Sequence, residues 1–328
     1  TGEENTFGMT LKEINSDPAF FKLSKEHCGV FGSEKWLSIY DKSLRTIGIY
    51  KDDGQIIGGF WYLDTRRMGL RFIKLPPYTP HCGLFFSSPS KNKSAANSFA
   101  KEVVADVCDF ISAKKAALTV MAFPVAIKDM QPFIWSKYKV VPNYTYRIDL
   151  TQSLETIVSN FDSKNRNAIN KAIKDGVEVS RNKLNADELF TFLKNSLTDA
   201  GANVYGHELN GIFKKFASPD NSFSMEARHN GELKGVVFCI HDFHTCYYLL
   251  AGLKKGDRPG GINNLLVQHS IQYAKELGCT VFDFEGSMLK GVEKFFRSFG
   301  PELYPYYTVN KGHLPIELLL KFKKRELF

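Results

Sequence analysis

A stretch rich in glycine and lysine carries the clearest chemical signal in this sequence. Residues 254–261 read K-K-G-D-R-P-G-G and separate an apolar run from a helical pattern that begins near Ile262. Glycines allow backbone N–H groups to approach a phosphate, and a helix N-terminus adds positive potential. We therefore predict an anion site made by seven residues: Lys254, Lys255, Arg258, Gly260, Gly261, Asn263 and Asn264. The alternative interpretation is a solvated turn with incidental lysines.

Acidic and basic side chains that follow this stretch are suited to proton transfer. Residues 281–286 alternate between apolar and acidic side chains, and a short helical pattern then ends at Gly300. The catalytic candidates are Glu285, Asp283 and His241 as proton acceptors, and Lys294 and Arg297 as cations that face negative charge. The alternative is that the two carboxylates are turn or capping residues and that Lys294 lies on a solvated helix face.

Other kinds of chemistry are disfavoured. His241 and His244 fall where a turn between two strands is predicted, and no further ligands cluster nearby in the sequence, so we predict no metal site. The six cysteines form no C-x-x-C pair, which indicates buried thiols. No G-x-S-x-G motif is present, which argues against a hydrolase with a nucleophile elbow.

The elements that must position these residues occur twice along the chain. Blocks with the same succession of residue types recur in the same order: residues 53–58 and 230–235, residues 113–121 and 274–282, and residues 142–145 and 305–308. The first pair has the D-G and N-G turns of β-hairpins, each followed by an apolar run. An ordered series of this kind favours an internal duplication.

Each copy is predicted to run hairpin, further strand, amphipathic helix, buried strand, short helix and final strand. The fold class is therefore α/β of the α+β type, with two tandem lobes at residues 9–150 and 151–328 and mixed, centrally antiparallel sheets flanked by helices. Helices are predicted at residues 95–114, 186–199, 209–216 and 262–277, and a basic helical segment at residues 153–175 connects the lobes. Copy one lacks glycine at residues 88–94, so we expect phosphate binding in the second lobe only.

Motifs in the second half carry a family resemblance. The segments F-D-F-E-G at 282–286, V-E-K-F-F-R-S-F-G at 292–300, E-L-Y-P-Y-Y at 302–307 and N-R-N-A-I-N-K-A at 165–172 resemble the Fem peptidyltransferases and related GNAT-like acyltransferases. The resemblance covers most of the second half. The first half is similar mainly in its L-P-P-Y-T turn at 75–79 and in its repeat architecture.

The resemblance implies two GNAT-like (acyl-CoA N-acyltransferase-like) lobes that move an acyl or aminoacyl group from a phosphate-bearing donor to an amine. Fem enzymes use aminoacyl-tRNA and a cell-wall precursor, whereas other members use acyl-CoA, so we expect one of the two as co-substrate and no tightly bound cofactor. This chain lacks the long helical-hairpin arm of some Fem proteins, and it has Phe296 and Arg297 where a Fem segment is lysine-rich. The donor is therefore left open between CoA and tRNA, and the acceptor between a small amine and a cell-envelope precursor.

Four further residues are predicted to bind the acceptor. Tyr78 and His81 lie in a proline-rich loop and offer stacking and hydrogen bonds, and Lys164 and Arg166 lie in the basic connecting segment. The loop is alternatively only a rigid turn. The formal net charge of +8 favours an anionic partner such as tRNA, and it keeps open a second function as a non-catalytic RNA- or polyanion-binding module. No DNA partner is expected.

The C-terminal residues 314–328 combine leucines with lysines and predict a basic amphipathic helix. We expect this helix to dock on the protein surface, and peripheral contact with a membrane is the alternative. No secretory signal and no apolar run of membrane length is visible, which predicts a cytoplasmic protein without a transmembrane segment.

Overall fold

The computed structural model describes residues 8–14, 17–40, 43–242, 244–286 and 288–323. Its helices are α1 (Pro18–Cys28), α2 (Glu34–Leu37), α3 (Lys93–Ala113), α4 (Gln131–Trp135), α5 (Leu154–Ser159), α6 (Ser163–Lys174), α7 (Ala186–Asp199), α8 (Gly206–Gly211), α9 (Ile262–Glu276), α10 (Lys290–Arg297) and α11 (Leu314–Lys323). A 3-10 turn at Gly29–Gly32 follows α1, and a π-helical turn at Ile212–Phe216 follows α8. No helix in these ranges is long and apolar enough to cross a membrane.

The strands are β1 (Met9–Ile14), β2 (Leu44–Lys51), β3 (Ile56–Arg67), β4 (Leu70–Lys74), β5 (Phe85–Phe86), β6 (Leu118–Ala122), β7 (Lys139–Asp149), β8 (Glu178–Arg181), β9 (Ser222–His229), β10 (Glu232–His241), β11 (Thr245–Leu253), β12 (Val281–Asp283) and β13 (Glu302–Gly312). Two compact units divide the described chain. The first contains residues 8–143 and 305–323, and the second contains residues 144–304. The chain therefore enters the second unit within β7 and returns to the first within β13.

The first unit is built on strands in the order β1-β2-β3-β4-β6-β13, with β5 paired to β3. The pair β4–β6 is parallel, and the other pairs are antiparallel. Helix α3 begins at Lys93 because the Asn92 side chain accepts a hydrogen bond from the Ser94 amide (3.0 Å). Its residues Val103, Val107 and Ile111 recur at helical spacing and are buried in the core. Each such buried side chain contributes about 1.5–3 kcal/mol to folding.

The second unit is built on strands in the order β7-β12-β11-β10-β9-β8. Here the pair β11–β12 is parallel, and the other pairs are antiparallel. Helix α9 buries Ile262, Leu266 and Ile271 in the core of this unit. The α9 helix therefore has a fixed position relative to β10 and β11, which immediately precede it in the chain.

The predicted order of elements is confirmed in both copies. Each copy has a hairpin (β2–β3 and β9–β10), a third strand (β4 and β11), a helix (α3 and α9), a strand parallel to the third (β6 and β12), a short helix (α4 and α10) and a final strand (β7 and β13). The N-G turn of the second hairpin has Asn230 at φ 53° and Gly231 at φ 76°. Left-handed backbone at both positions is what a tight two-residue turn requires, and these residue types adopt it most easily.

The two final strands pair with the opposite copy. Strand β7, which ends copy one, pairs antiparallel with β12 through Asp149 opposite Val281. Strand β13, which ends copy two, pairs antiparallel with β6 through Thr308 opposite Ala122. The compact units therefore differ from the predicted lobes 9–150 and 151–328, because residues 305–323 belong to the first unit. The boundary at residue 150 remains a prediction about where the repeat divides. It does not separate the two hydrophobic cores.

The basic connecting segment at residues 153–175 is two helices. Helix α5 ends at Ser159, and Asp162 then starts α6 by accepting a hydrogen bond from the Asn165 amide (2.6 Å). The predicted helix 186–199 is confirmed as α7, whereas the predicted helix 209–216 starts earlier, as α8, and ends in a π-helical turn. All six cysteines are free and buried, as predicted.

The predicted C-terminal helix is present over part of its predicted length. Helix α11 ends at Lys323, and residues 324–328 lie outside the described residues. Leu314, Leu318 and Phe322 are exposed rather than packed on the protein. Ile316 and Leu320 are half-buried, so the helix leaves only part of its apolar side chains exposed, and its docking on the protein surface remains a prediction.

Candidate active site

The parallel strands β11 and β12 separate after a short common stretch. They pair only from Thr245 with Val281 to Tyr247 with Asp283. Strand β11 continues to Leu253, and over the described residues its edge beyond Tyr247 has no strand partner on the β12 side. Backbone N–H and C=O groups on such an edge require hydrogen-bond partners, and an extended ligand can supply them.

The glycine-rich loop at residues 254–261 connects the end of β11 to the start of α9. Gly261 is the N-cap residue with φ 84°, and no side chain caps the helix. The first backbone bond of the helix runs from the Leu265 amide to the Gly261 carbonyl (2.9 Å). The first turn contains no acidic residue. The unused N–H groups of this turn and the helix dipole favour an anion at this place.

The loop cations differ in how far they are engaged. The Lys254 ammonium forms an ion pair with Glu232 of β10. The Arg258 guanidinium donates a hydrogen bond of 2.7 Å to the Lys254 carbonyl. Lys255 is exposed, and no hydrogen bond or ion pair to another described residue engages its side chain. Lys255 is therefore the predicted loop cation that is most readily available to a ligand.

Lys234, which the sequence analysis did not identify, holds the glycine-rich loop through hydrogen bonds. The Lys234 ammonium on β10 is nearly buried, and it donates hydrogen bonds to Glu232 (2.6 Å) and to the Asp257 carbonyl (3.0 Å). Hydrogen bonds from Lys234 and then Lys254 lower the pKa of Glu232 to about 2. The signal in the sequence was a lysine inside an otherwise apolar strand, two residues after a glutamate.

The α9 start is also fixed to α6. A Cβ atom on Gly261 would lie 2.0 Å from the carbonyl oxygen of Ala168. Asn264 donates a hydrogen bond of 3.1 Å to Asn165, which in turn donates one of 2.9 Å to Ser298. Asn264 therefore has a structural role in addition to its predicted role in donor binding. A Gly261→Asp change is therefore expected to disturb the local fold as well as any anion site.

Gly260 and Asn263 differ from these two residues in their surroundings. Gly260 has open space where a Cβ atom would be placed. The Oδ1 atom of Asn263 is buried and has no hydrogen-bond partner among the described residues. Asn263 thus faces inward, and its contribution to an anion site is through its backbone N–H rather than its carbonyl oxygen.

Glu285 lies where the pairing of β11 and β12 has ended. It has left-handed backbone (φ 57°), and its amide donates a hydrogen bond of 2.8 Å to the Asp283 carboxylate. Its Oε1 atom is buried and has no hydrogen-bond partner in the described part of the chain. Burial, and then the nearby Asp283 and Cys239, raise the pKa of Glu285 well above its ordinary value. A strained residue with an unpartnered buried carboxyl oxygen is a candidate for chemistry.

Asp283 has its hydrogen-bonding capacity in use. Its carboxylate accepts hydrogen bonds from the Thr145 hydroxyl (2.5 Å), the Arg147 guanidinium (2.7 Å) and the Glu285 amide (2.8 Å). These three donors engage both oxygens of the carboxylate. The structure therefore favours Asp283 as the residue that orients Glu285, not as the base that the sequence suggested.

The side chains of Lys294 and Arg297 on α10 differ in their hydrogen-bond partners. Arg297 donates a hydrogen bond of 2.8 Å to Glu293, and the same Glu293 oxygen accepts one of 2.7 Å from the Tyr146 hydroxyl. Lys294 is exposed. Arg297 is thus neutralised by a partner four residues earlier, and Lys294 matches the solvated face that was the alternative prediction. The sequence did not identify Tyr146 or Glu293.

His241 lies at the opposite end of the sheet from the loop. It pairs with Cys246 near the start of β11, whereas the loop follows Leu253. Eight residues of β11 separate these ends, which is about 26 Å. The Asp242 carboxylate accepts hydrogen bonds from the His244 and Thr245 amides (2.7 Å each), so this segment is the turn that was predicted. Burial lowers the pKa of His241. His241 is thus remote from the loop, and its role as a proton acceptor remains a prediction.

The predicted acceptor residues fall in both units. Arg166 donates hydrogen bonds to the carbonyls of Ser159 (3.2 Å) and Phe161, so it closes the end of α5. Lys164 is exposed, and it lies one helical turn from Ala168, which contacts the α9 start. Both residues are in the same unit as the glycine-rich loop.

The proline-rich loop of the first unit is firmly held. The Thr79 hydroxyl accepts a hydrogen bond of 3.0 Å from the Trp36 indole, and the Tyr40 hydroxyl donates to the Pro77 carbonyl. His81 packs between the rings of Phe31 and Trp61. The rigid turn that was the alternative prediction is present, and acceptor binding by Tyr78 and His81 remains a prediction.

The chain is similar to one known domain family in sequence and to several solved structures in fold. The acetyltransferase (GNAT) domain family matches residues 159–297. No curated protein sequence matches the chain with significance. FemX has a similar structure (TM-score 0.63, 14% identity, 94% of this chain and 100% of that chain covered). L-PGS from Bacillus licheniformis (TM-score 0.55, 14% identity, 95% and 98% covered) is also similar.

A tandem GNAT protein from the clavulanic acid biosynthesis pathway shares the two-copy fold (TM-score 0.55, 10% identity, 92% and 98% covered). At such low identity these likenesses establish the fold. The family match covers β11, the glycine-rich loop, α9, β12 and Glu285. Residues 159–297 thus match the acetyltransferase (GNAT) domain family, and this match together with the mixed α/β fold supports acyltransferase activity.

Proposed function

We propose that the chain transfers an acyl or aminoacyl group from a phosphate-bearing donor to an amine, with the donor bound at the start of α9 and along the open edge of β11. One observation carries the proposal: β11 has an unpaired edge beyond Tyr247, near Glu285, and the loop that follows β11 ends at an uncapped helix N-terminus. Anionic and extended parts of one donor molecule match these two features. Either acyl-CoA or aminoacyl-tRNA has the required phosphate and ester-like carbon.

The residues divide the work as follows. The amides at the start of α9 and the cations Lys255 and Arg258 hold the donor phosphates. Backbone N–H groups on the open edge of β11 orient the reacting carbonyl and stabilise the oxyanion that forms when the amine attacks. Binding both reactants in this arrangement supplies much of the rate enhancement without a covalent enzyme intermediate.

Glu285 accepts the proton that the attacking amine must lose. Its carboxylate takes this proton as the new N–C bond forms, and the thiolate or ribose oxygen of the donor then leaves. The raised pKa makes the ionised Glu285 a stronger base than an ordinary carboxylate. Asp283 and Arg147 hold the backbone of Glu285 in place through the 2.8 Å and 2.7 Å hydrogen bonds.

The test is a calorimetric titration of the protein with CoA, acyl-CoA and aminoacyl-tRNA. We expect one donor to bind, and Gly260→Asp to weaken binding at least tenfold because it places negative charge beside the phosphates. Gly206→Asp is the matched control, since Gly206 also has open space around its Cβ position. Equal affinity of the Gly260→Asp and Gly206→Asp variants would exclude the loop from the donor site.

A second function is favoured by the exposed face of α6. Lys164, Lys171 and Lys174 are all exposed on this helix, and such a row suits a polyanion. A non-catalytic RNA-binding module is therefore the competing proposal. Steeply salt-dependent RNA binding, without acyl transfer to any amine tested, would favour it over the acyltransferase proposal.

A further inference from the structure

Helix α11 has its apolar side toward solvent. Leu314, Leu318, Leu319 and Phe322 are 70%, 49%, 54% and 88% exposed. Ile316 and Leu320, one turn apart, are half-buried and face the first unit. A helix on the surface of a protein ordinarily directs its polar side outward, so this reversed arrangement leaves an apolar row that needs a partner.

The start of α11 lies beside two other exposed segments of the first unit. The His313 amide donates a hydrogen bond of 2.9 Å to the Ala117 carbonyl, and the Ala117 amide donates one of 2.8 Å to the Arg71 carbonyl. Leu118 at the start of β6 lies opposite Gly312 of β13 on one side and opposite Phe72 of β4 on the other. The β3–β4 turn, the α3–β6 turn and the start of α11 therefore lie side by side at one end of this sheet.

These two turns add cations and another exposed apolar residue. At the tip of the β3–β4 hairpin Arg66 and Arg67 are exposed, and Met68 is 93% exposed with left-handed backbone. The α3–β6 turn contributes Lys115, which is exposed. Lys321 on α11 is exposed as well. Two acidic side chains at this end are engaged, because Asp64 pairs with Arg71 and Glu317 accepts a hydrogen bond from the Gly312 amide.

We propose that this end of the first unit docks on an anionic lipid bilayer. The docking surface consists of the exposed side of α11, the hairpin tip 66–70 and Lys115. Its apolar side chains enter the region between headgroups and acyl chains, while its arginines and lysines contact the lipid phosphates. An exposed leucine row bordered by cations, with its neighbouring carboxylates already paired, is complementary to such a surface.

The charge distribution favours a bilayer over a protein partner. The rim of a protein–protein interface ordinarily mixes polar and charged groups of both signs. The charged groups that border the exposed side of α11 are instead positive. The inference concerns binding alone and does not depend on the donor or the acceptor of the reaction.

Vesicle flotation with the full chain tests the proposal. We expect the protein to float with vesicles that contain phosphatidylglycerol and to stay behind with vesicles of phosphatidylcholine alone. Leu318→Ser combined with Phe322→Ser is expected to weaken binding at least tenfold, because the inserted apolar area is lost. Leu303→Ser, at a position 51% exposed in the second unit, is the apolar control and is expected to change nothing.

The charged part of the surface has its own matched pair of variants. Arg66→Glu with Arg67→Glu is expected to weaken vesicle binding, by about fivefold for each removed cation. Lys91→Glu with Lys93→Glu makes the same charge change at the other end of α3, about 30 Å from Lys115. If both double variants lost vesicle binding equally, the effect would come from the net charge of the protein and not from this surface, and the proposal would be overturned.

Two further outcomes also overturn the proposal. One is failure of the wild-type protein to bind anionic vesicles while circular dichroism shows it folded. The other is self-association in analytical ultracentrifugation that disappears in the Leu318→Ser, Phe322→Ser variant, with no vesicle binding. The second result would assign the apolar row to another copy of the chain.

Discussion

The ammonium group of Lys234 donates a 3.0 Å hydrogen bond to the carbonyl oxygen of Asp257, and this bond joins a core strand to the middle of the glycine-rich loop. The Lys234 carbonyl also accepts a hydrogen bond of 2.8 Å from the Lys254 amide at the start of the loop. Two bonds from one residue therefore hold the loop at two points. Lys234 is best understood as a residue that positions the loop without touching the donor.

Replacing Lys234 by methionine tests this role. The change keeps most of the apolar stem but removes the bonds to Asp257 and Glu232, so we expect donor affinity to fall about tenfold, which is about 1.4 kcal/mol. The rate at saturating donor should change little. Lys215→Met, at an exposed lysine of the same unit, is the control. A purely structural role would instead lower the midpoint of unfolding and leave donor affinity unchanged.

Glu285→Gln is expected to lower kcat by about 10²–10⁴, the range typical for loss of a general base, while donor affinity is retained. The shape is preserved, and only the ability to take a proton is lost. Steady-state kinetics over a range of pH provide the measurement. The wild-type rate should rise as Glu285 ionises, and this rise should be missing in the variant. An unchanged pH profile would remove Glu285 from proton transfer, and Glu178→Gln on the exposed β8 edge serves as control.

The same substitution should alter the pH dependence of stability. The pKa of Glu285 in the folded protein is raised well above its ordinary value of 4.5, so the folded state holds this proton over a pH range in which the unfolded state has released it. Stability from this group is complete below about pH 4.5 and is lost as the pH rises through the folded pKa. Urea unfolding at several pH values should show Glu285→Gln gaining stability relative to the wild type as pH rises. A difference independent of pH would contradict the assigned shift.

Gly261 and Gly260 provide a comparison between neighbouring positions. We expect Gly261→Ala to lower the free energy of unfolding by about 1–3 kcal/mol, because a Cβ atom there meets the Ala168 carbonyl oxygen at 2.0 Å and the backbone has φ 84°. Gly260→Ala should fall within about 0.5 kcal/mol of the wild type, since nothing lies near its Cβ position. Equal destabilisation in urea unfolding would show that the α6–α9 contact is not close in solution.

The repeat made much of the fold predictable, because its signals are local. The N-G turn at Asn230 and Gly231, the apolar runs after each hairpin and the spacing of Leu265 and Leu266 depend only on neighbouring residues. These features define the order of elements in each copy. The pairing of β7 with β12 and of β13 with β6 depends on residues more than a hundred positions apart, and both final strands have the same local pattern. No local rule distinguishes exchange from pairing within a copy.

The candidate site was predictable in its residue types but not in its partners. Glycine-rich spacing and the following helix indicated the α9 start, and the acidic alternation indicated Glu285. The sequence did not show that Asp283 is bound to Arg147 and Thr145, or that Arg166 closes α5. Such roles are decided by tertiary contacts. The sequence also does not show that His241 and the glycine-rich loop lie at opposite ends of the strand pair β10–β11.

The exchange of β7 and β13 makes the two copies mutually dependent for their folding. A fragment that ends at residue 150 would lack the strand that completes the edge of β6, and the remaining fragment would lack the strand that covers β12. Each would expose a row of unpaired backbone groups, which promotes aggregation. The first copy has no glycine-rich loop, yet it supplies one strand to the unit that carries this loop, so that unit depends on the first copy for its sheet.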